Sequence, residues 1–381
     1  MDGPFVVEKA IRPVDGKVTW LVLDDDLEPV DQVTQFALYL DGGGASVNTV
    51  RAYIPRVARL LNWCHSQGVD WSNITLPQLV LYKRGLEAEP CPTGKPRAGK
   101  TVNAHITAII EFLRYCARVG LIDSVIVDRF VEVKHLRFLP EGMPQREDGS
   151  YRIVKAKVIK ANEVTRPPES LAEDEVSALL AATANVRDFF VIQLMVETGL
   201  RVGEALGLHR EDIHFLPDSR ALGCAIVGAH LHVRRRVNDN NALAKSHYPR
   251  SIPVGSAVVG SYRDYQYERD RIIPHSRSDF VFVNLYAVTD RDTPMKYQNT
   301  RNCLRRVAQR AGVEARLHML RHTAGTTWAR AGTPIDVIQK LMGHQSPLST
   351  AKYLHPSEQQ MRAAVDAVER RRAESTTGAK P

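Results

Sequence analysis

The sequence predicts a mainly α protein with a small β-sheet, an α+β chain with two helical domains. Apolar residues recur at helical spacing through most of its 381 residues. β-Branched residues concentrate between 223 and 254. Basic residues and prolines accumulate over 136–168, which is typical of an exposed linker. We therefore expect five segments: a lead-in over 1–27, a helical domain over 28–135, this linker over 136–168, a second domain over 169–372 and a polar tail over 373–381.

The lead-in and the first domain are predicted from short apolar runs. One strand is expected at Val18–Leu23, and helices are expected over 30–40, from Ser46 to Gly68, over 77–86 and from Lys100 to Gly120. The loop over 87–100 is rich in proline, glycine and lysine. Its residues Lys95, Arg97 and Lys100 are the best local candidates for a face that contacts phosphate groups. An ordinary solvated charge is the alternative for each of them.

The second domain begins near Ser170-Leu-Ala-Glu173, a pattern typical of a helix capping box. A helix over 186–197 is expected to end at Gly199. Short strands are expected at 225–227, 231–237 and 251–254, with Lys245 in the hairpin-like segment between the last two. Further helices are predicted over 256–272, 299–312, 318–330, 335–342, 349–354 and 357–372.

Composition narrows the class of partner. The net charge of +8 favours a polyanion, and 44% hydrophobic residues exclude global disorder. Five scattered cysteines without a CxxC pair indicate neither a zinc site nor a disulfide framework. Several histidines also lack ligand-like spacing, so no metal is expected: His209, His214, His230, His232 and His247.

Without a signal-peptide pattern or a membrane-length apolar run, we expect a cytoplasmic protein that associates with the nucleoid when it acts.

Polar residues capable of binding phosphate cluster near the C-terminus. His318 and Arg321 are three residues apart and would share one face of a helix. Gly343 is a candidate left-handed cap before His344, and Ser349 is a candidate cap for a short helix that carries Tyr353. Taken singly, such a histidine is more often half-buried and such a tyrosine more often a packing residue. Together, arginines suit phosphate oxygens, and a tyrosine among cationic donors can act as a nucleophile.

Five motifs in a fixed order carry a family resemblance: Thr198-Gly-Leu-Arg201-Val-Gly-Glu204, Lys245-x4-Arg250-x-Ile-Pro253, His318-x-x-Arg321, Leu341-Met-Gly-His344 and Tyr353. This set resembles the tyrosine recombinases, the phage-integrase-type site-specific recombinases. The resemblance covers about 170–372, and the separation of nine residues between His344 and Tyr353 is the family's usual one. The N-terminal module is similar to the family's helical, SAM-like core-binding domain.

The resemblance implies a role for each cationic residue. Arg201 and Arg321 would clamp the scissile phosphate, where fixed donors stabilise the negative charge of the transition state. Lys245 would protonate the departing 5′ hydroxyl. His318 would bind the phosphate or assist as an acid or base, and His344 would donate to the phosphate beside the nucleophile.

The resemblance also implies the nucleophile and the assembly. Tyr353 would attack phosphorus, and Glu204 would have a structural role, orienting Arg201 or the neighbouring helix. His322 and His355 would be supporting residues. A helix with an apolar stripe at Met361, Val365 and Val368 would dock on a neighbouring protomer, with packing on its own domain as the alternative.

The expected partner is double-stranded DNA with specific recombination sites, bound by a tetramer, with accessory DNA-bending or partner recombinase proteins and without membrane. No cofactor is expected. Integration or transposition of a bacterial mobile element is the expected activity. The alternatives are a chromosome- or plasmid-dimer-resolving recombinase, a catalytically idle DNA-binding protein of the same fold, and a type IB topoisomerase.

Overall fold

The computed structural model describes residues 3–91, 94–136, 152–163, 168–244, 249–344 and 348–351, together with 353, 362 and 366. These residues form two compact units, the first made by the described residues up to 163 and the second by those from 168 onward. Both units are mainly helical with short strands, which confirms the α+β class. Across the described ranges, no helix is both long enough and apolar enough to cross a membrane.

The first unit opens with an antiparallel hairpin of β1 (Val6–Ile11) and β2 (Val18–Leu23), in which Val6 pairs with Leu23. The prediction of β2 is confirmed. The sequence analysis missed β1, because its side chains are mostly exposed and show no apolar alternation.

Five helices follow in this unit: α1 (Asp31–Gly42), α2 (Val47–Ser66), α3 (Leu76–Ala88), α4 (Gly99–Arg118) and α5 (Ser124–Asp128). The four predicted helices are confirmed, whereas the short α5 was not expected. The Ser46 hydroxyl accepts a hydrogen bond from the Thr49 N–H at 3.2 Å and so fixes the start of α2. The apolar stripes of the helices meet in one core, which includes the fully buried side chains of Phe36, Ile54, Leu60, Tyr82 and Phe112.

Part of the stretch interpreted as a linker is a strand. β3 (Val131–Leu136) pairs antiparallel with β4 (Arg152–Lys157), with Val131 opposite Lys157. Charged and proline-rich composition indicates exposure, but it does not reveal a pairing between residues so far apart in the chain. After β4 the chain returns to α4, where the Asn103 side chain accepts from the Ala161 N–H at 2.7 Å.

The second unit begins with α6 (Glu173–Ala181) and α7 (Val186–Thr198). The predicted capping role of Ser170 is wrong, since the helix starts two residues later than that cap requires. Its start is instead stabilised by Glu175, whose carboxylate accepts from the Ala172 N–H at 2.8 Å. Gly199 ends α7 as predicted, with a left-handed φ of 62°.

A three-stranded antiparallel sheet follows the short helix α8 (Val202–Leu206) in the order β5 (Ile213–His214), β6 (His230–Val233) and β7 (Arg250–Pro253). The predicted strand at 225–227 is wrong: Ile226 and Val227 are exposed, and Val227 forms only an isolated bridge. β6 also ends earlier than expected. The backbone of 234–237 does not continue the strand, and there the Arg236 guanidinium donates to the buried Asp212 carboxylate at 2.6 Å.

The remaining helices are α9 (Ser256–Ile272), α10 (Tyr297–Ala311), α11 (Leu317–Arg330), α12 (Ile335–Met342) and α13 (Leu348–Ala351). The predicted cap at Ser349 is wrong, because this residue lies inside α13, and Tyr353 follows that helix in a turn. The predicted tail helix lies outside the described residues except for Arg362 and Asp366, which form an ion pair at 3.4 Å. The core of this unit includes Phe190, Leu194, Tyr265, Phe282, Leu304 and Leu320.

Candidate active site

A tight turn between α7 and α8 positions the first two residues of the site. At Gly199, an added Cβ would lie 3.2 Å from the Trp328 ring and 3.3 Å from the Ala324 side chain, so the left-handed turn also permits close packing on α11. Arg201 is the residue before α8, and Glu204 lies in its first turn. The Glu204 carboxylate accepts from the Arg201 N–H at 2.9 Å, which ties the two residues together at the helix start.

Glu204 is the centre of an arginine cluster. Its side chain is fully buried, and one oxygen accepts from Arg201 Nη1 at 2.9 Å. Arg250 on β7 bonds both oxygens, at 3.2 and 2.8 Å. Arg321 Nη1 lies 3.7 Å from the same carboxylate. Three positive charges therefore surround one negative charge, and the cluster has two uncompensated positive charges.

The Glu204 carboxylate is held ionised by these neighbours. Burial alone would raise its pKa, but the hydrogen bonds and charges of Arg250 and Arg201 outweigh that effect and lower it below the ordinary glutamate value. A charged Glu204 orients the arginines without cancelling their field. The cluster can therefore accept an anion.

Arg321 is among the most deeply buried charged side chains of the unit, at 2% exposure. Its Nη2 donates to the Met342 carbonyl at 2.6 Å, and Nη1 donates to the Gly199 carbonyl. The guanidinium thus joins the ends of α7 and α12. Burial and repulsion from Arg201 lower its pKa to about 10, with Glu204 partly opposing the change. This electrostatic cost would be relieved by a bound anion such as a phosphodiester.

Tyr353 is buried at 5% exposure, and its hydroxyl lies 2.7 Å from His322 Nδ1. Burial raises the pKa of Tyr353 to about 12, while Arg321 and Arg201 act to lower it. The phenol is therefore protonated at neutral pH and needs a proton acceptor to become a nucleophile. In the tautomer that carries its proton on Nε2, the His322 Nδ1 atom accepts from the phenol and can be that acceptor. A Cβ at Gly325 would lie 3.0 Å from Tyr353 Cζ, so glycine leaves the space that the ring occupies.

Two further histidines lie near the phenol and its partner His322. His344 follows α12, which ends at Gly343 with the predicted left-handed conformation at φ 61°. Its ring stacks on Tyr353, with 6.2 Å between centroids and 3° between planes, and its Nδ1 lies 2.9 Å from Thr350 Oγ1. His318 lies at the exposed start of α11, and its ring centroid is 4.4 Å from that of His322.

The structure thus brings together Arg201, Glu204, Arg321, His344 and Tyr353, with His318 at the edge through His322. Lys245 lies outside the described residues. The sequence analysis gave no site role to Arg250 and only a supporting one to His322. Arg250 stands within a quoted motif, three residues before Pro253, and His322 directly follows the motif that ends at Arg321, so this adjacency was the available signal.

The three basic residues proposed for phosphate contact lie in the first unit. Lys95 and Lys100 are exposed. Arg97 is different, since its side chain is only 11% exposed and pairs with Glu89 at 3.3 Å. Glu89 also pairs with Arg59, so Arg97 has a structural partner there. DNA contact by these three residues stays a prediction.

A buried tyrosine beside an arginine–histidine cluster, in a helical domain with a small sheet, defines the class to which the chain belongs: the phage integrase family of tyrosine recombinases. The family profile described as "Phage integrase family" matches residues 169–360. The profile described as "Phage integrase, N-terminal SAM-like domain" matches residues 33–120. The resemblance inferred from the motifs is confirmed.

Two relatives and one solved structure show how much of the chain is similar to individual proteins. It is 31% identical to transposase A from transposon Tn554 of Staphylococcus aureus over 356 residues, which cover 90% of this chain and 92% of the relative. It is 29% identical to the tyrosine recombinase XerC of Staphylococcus aureus over 204 residues, covering 51% of this chain and 59% of that protein. The solved Tn1549 transposon integrase in complex with transposon right end DNA shares the fold, with a TM-score of 0.58 at 16% identity over 89% of this chain and 99% of that one.

Proposed function

We propose that the chain is a site-specific recombinase that cuts and rejoins double-stranded DNA through a 3′-phosphotyrosine link, for the integration or transposition of a bacterial mobile element. The observation that carries the proposal is the Tyr353 phenol, hydrogen-bonded to His322 beside the arginine cluster centred on Glu204. A nucleophile, a proton acceptor and an anion site with excess positive charge are thus adjacent. Family membership supports strand cleavage and rejoining as the activity.

In the proposed cleavage step one bond to phosphorus forms and one breaks. Tyr353 Oη attacks phosphorus while its proton passes to His322 Nδ1, and the bond from phosphorus to the 5′ oxygen breaks. Arg201 and Arg321 bind the non-bridging oxygens, where charge accumulates. A guanidinium has five N–H donors, so Arg321 can keep its two carbonyl partners and still donate to phosphate. By the family resemblance, Lys245 gives the leaving 5′ oxygen its proton.

Rejoining reverses these steps with a different strand. A 5′ hydroxyl attacks the phosphotyrosine and, by the family resemblance, returns its proton to Lys245. The new phosphodiester forms, and the Tyr353 oxygen leaves and regains its proton from His322. The phosphotyrosine bond conserves the energy of the broken phosphodiester, so the scheme requires no nucleotide cofactor. Exchange between two sites requires several protomers, and we propose a tetramer on DNA.

The lengths over which the chain is similar to a transposon protein and to XerC favour a role in a mobile element over a role in dimer resolution. The likeness to the transposon protein runs over 90% of the chain, whereas the likeness to XerC runs over 51%. Accessory DNA-bending proteins or a partner recombinase belong to the same proposal. A catalytically idle DNA-binding protein would have no use for a buried phenol held 2.7 Å from an imidazole nitrogen.

A nicked suicide substrate that carries the element's own end sequence tests the proposal. The unaltered chain should become covalently attached to the DNA, because the strand beyond the nick diffuses away after cleavage. Tyr353→Phe should bind the DNA and form no adduct. The matched control is Tyr262→Phe, which removes the hydroxyl of a tyrosine that packs against Phe190 in the same unit. An adduct in Tyr353→Phe, or none in the unaltered chain on any element end, would overturn the proposal.

The pH dependence of cleavage tests the role of His322 as proton acceptor. With His322→Ala, cleavage should be slow at neutral pH and should rise as the pH approaches the raised pKa of Tyr353, since phenolate then forms without a base. An unchanged pH profile would remove His322 as the proton acceptor.

A further inference from the structure

Four side chains at one end of the small sheet lie outside the proposed recombination chemistry. They are His214 on β5, Cys224 in the following loop, and His230 and His232 on β6. One nitrogen or sulfur atom of each lies within 4.8 Å of those of the others. His230 Nε2 is 3.2 Å from His232 Nε2, and Cys224 Sγ is 3.3 and 3.6 Å from these same two nitrogens.

The sheet itself explains why these residues converge. Antiparallel pairing of β5 with β6 sets His214 directly opposite His230. His230 and His232 are two residues apart on one strand, so both imidazoles lie on the same face. Cys224 follows a left-handed Gly223 with φ 75°, and its N–H donates to the Ser219 carbonyl at 3.2 Å, which holds the loop against that face.

The hydrogen bonds on the outer side of the rings orient nitrogen lone pairs into the cluster. The Gly228 carbonyl can only accept, so His230 Nδ1 is the protonated nitrogen of that ring at 2.7 Å, and Nε2 carries the lone pair. His232 Nδ1 lies 3.0 Å from Ser251 Oγ on β7, which likewise leaves its Nε2 facing inward. Outer partners of this kind are what fix metal-binding histidines.

His214 supplies an independent observation. Its side chain is buried at 7% residual exposure, and its Nδ1 has no hydrogen-bonding partner among the described residues. A buried imidazole nitrogen without a partner has lost its hydrogen bond to water and gained none in return, which disfavours the folded state. A hydrogen-bonded cluster alone would connect His230 with His232 and leave this nitrogen unsatisfied. We assign Nδ1 as the His214 ligand atom, since an ion shared by all four side chains would then satisfy it.

We propose that His214, Cys224, His230 and His232 bind one Zn²⁺ ion. Tetrahedral zinc with Zn–N near 2.05 Å and Zn–S near 2.3 Å separates nitrogen from nitrogen by about 3.3 Å and sulfur from nitrogen by about 3.5 Å. The separations of 3.2, 3.3 and 3.6 Å among His230, His232 and Cys224 match this geometry, and the His214 nitrogen lies within 4.8 Å of those three atoms. On binding, the Cys224 thiol releases its proton to solvent and coordinates as thiolate, and the imidazoles coordinate in the neutral form.

The role of this ion is structural, because four protein ligands close the coordination shell and leave no position for substrate. It would fix β5, the loop and β6 to one another. β6 pairs with β7 through Val233 and Arg250, and Arg250 is the residue that bonds both oxygens of Glu204. The segment between these two strands contains Lys245. Zinc would therefore hold the sheet on which the arginine cluster depends. The sequence analysis expected no metal, since the spacing of these four residues matches no recognised ligand motif.

Metal binding is tested on the full-length, tag-free chain with Zn²⁺ and Co²⁺ as probes. We expect one zinc per chain by elemental mass spectrometry, and a cobalt complex with tetrahedral d–d bands and a thiolate charge-transfer band. Cys224→Ser should abolish that band and weaken zinc binding by at least about 100-fold. The matched controls are Cys91→Ser and His275→Ala, which alter a cysteine and a histidine outside the cluster and should retain one zinc per chain.

A second measurement uses the unaltered chain, so it does not depend on whether a variant folds. Stoichiometric Zn²⁺ should protect Cys224 from alkylation by a thiol reagent and should raise the thermal midpoint of unfolding, whereas Mg²⁺ should do neither. Zinc content equal to that of Cys224→Ser, a cobalt spectrum without a thiolate band, or equal alkylation of Cys224 with and without zinc would each overturn the proposal.

Discussion

Glu204→Gln is the most informative single change in the arginine cluster, because it removes one negative charge and alters almost no volume. The Glu204 side chain is fully buried, bonds Arg201 and Arg250, and lies 3.7 Å from Arg321. Its loss leaves three guanidinium groups without their counter-charge. Breaking a buried ion pair by removing one partner costs about 3–5 kcal/mol of stability. We expect a loss of this size in the free energy of opening of α8 and α11.

Glu211→Gln is the matched control. Glu211 accepts from Arg236 at 2.5 Å, but its side chain is 63% exposed. The same substitution there should cost less than about 1 kcal/mol, since water and salt screen an exposed pair. Amide hydrogen exchange of the peptides that cover α8 and α11 measures both variants in the full chain. Equal protection of these peptides in Glu204→Gln and Glu211→Gln would refute the counter-charge role of Glu204.

The pH dependence of the same experiment has a definite sign. The pKa of Glu204 is lowered in the folded chain, so its ionised form stabilises the fold above the ordinary glutamate pKa. That contribution is lost as the pH falls through the lowered value. The stability difference between the unaltered chain and Glu204→Gln should therefore be full at neutral pH and shrink under acid conditions. Sulfate should narrow the difference at neutral pH, because an anion bound to the arginines replaces the missing charge.

Three further predictions concern strand transfer. Arg321→Lys keeps the charge and loses the planar fork, so cleavage should fall by about 10²–10³-fold while DNA affinity measured by gel shift changes little; an unchanged cleavage rate would contradict a transition-state role. Lys245→Ala should be slow on ordinary DNA and largely rescued on a 5′-bridging phosphorothiolate, whose leaving group needs no proton; equal defects on both substrates would assign the acid elsewhere. Deletion of 357–381 should preserve binding to a single site and abolish cooperative assembly, and a large fall in the melting midpoint of the DNA-free monomer would instead show that the tail packs on its own domain.

Local pattern was enough to predict the long helices. α2 and α4 carry apolar stripes that are buried on one side, and Gly199 and Gly343 mark helix ends because both need a left-handed φ. Strand β1 was missed because its mostly exposed side chains show no apolar alternation, whereas β3 and β4 were missed because their pairing joins distant parts of the chain. Ser170 and Ser349 were misassigned as caps since a serine near a helix start is common whether or not it caps.

The active-site residues divide in the same way: local motifs predict some of them, and the others depend on long-range packing. Motif order was enough to select Arg201, Arg321, His344 and Tyr353, which the fold brings together. It did not show that Arg250 reaches Glu204, or that His322 bonds the phenol, because both contacts arise from the packing of β7 and α11 against other elements. The histidine–cysteine cluster was also missed for this reason.

The central claim is that Tyr353 forms the covalent bond to DNA, and peptide mapping of the adduct tests it most directly. The protein trapped on a nicked suicide substrate is digested with nuclease and protease, and the residue that retains a nucleotide is located by tandem mass spectrometry. We predict a single modified residue, Tyr353, linked through the 3′ phosphate of the cleaved strand. A nucleotide on any other of the 12 tyrosines, or attachment through a 5′ phosphate, would contradict the account.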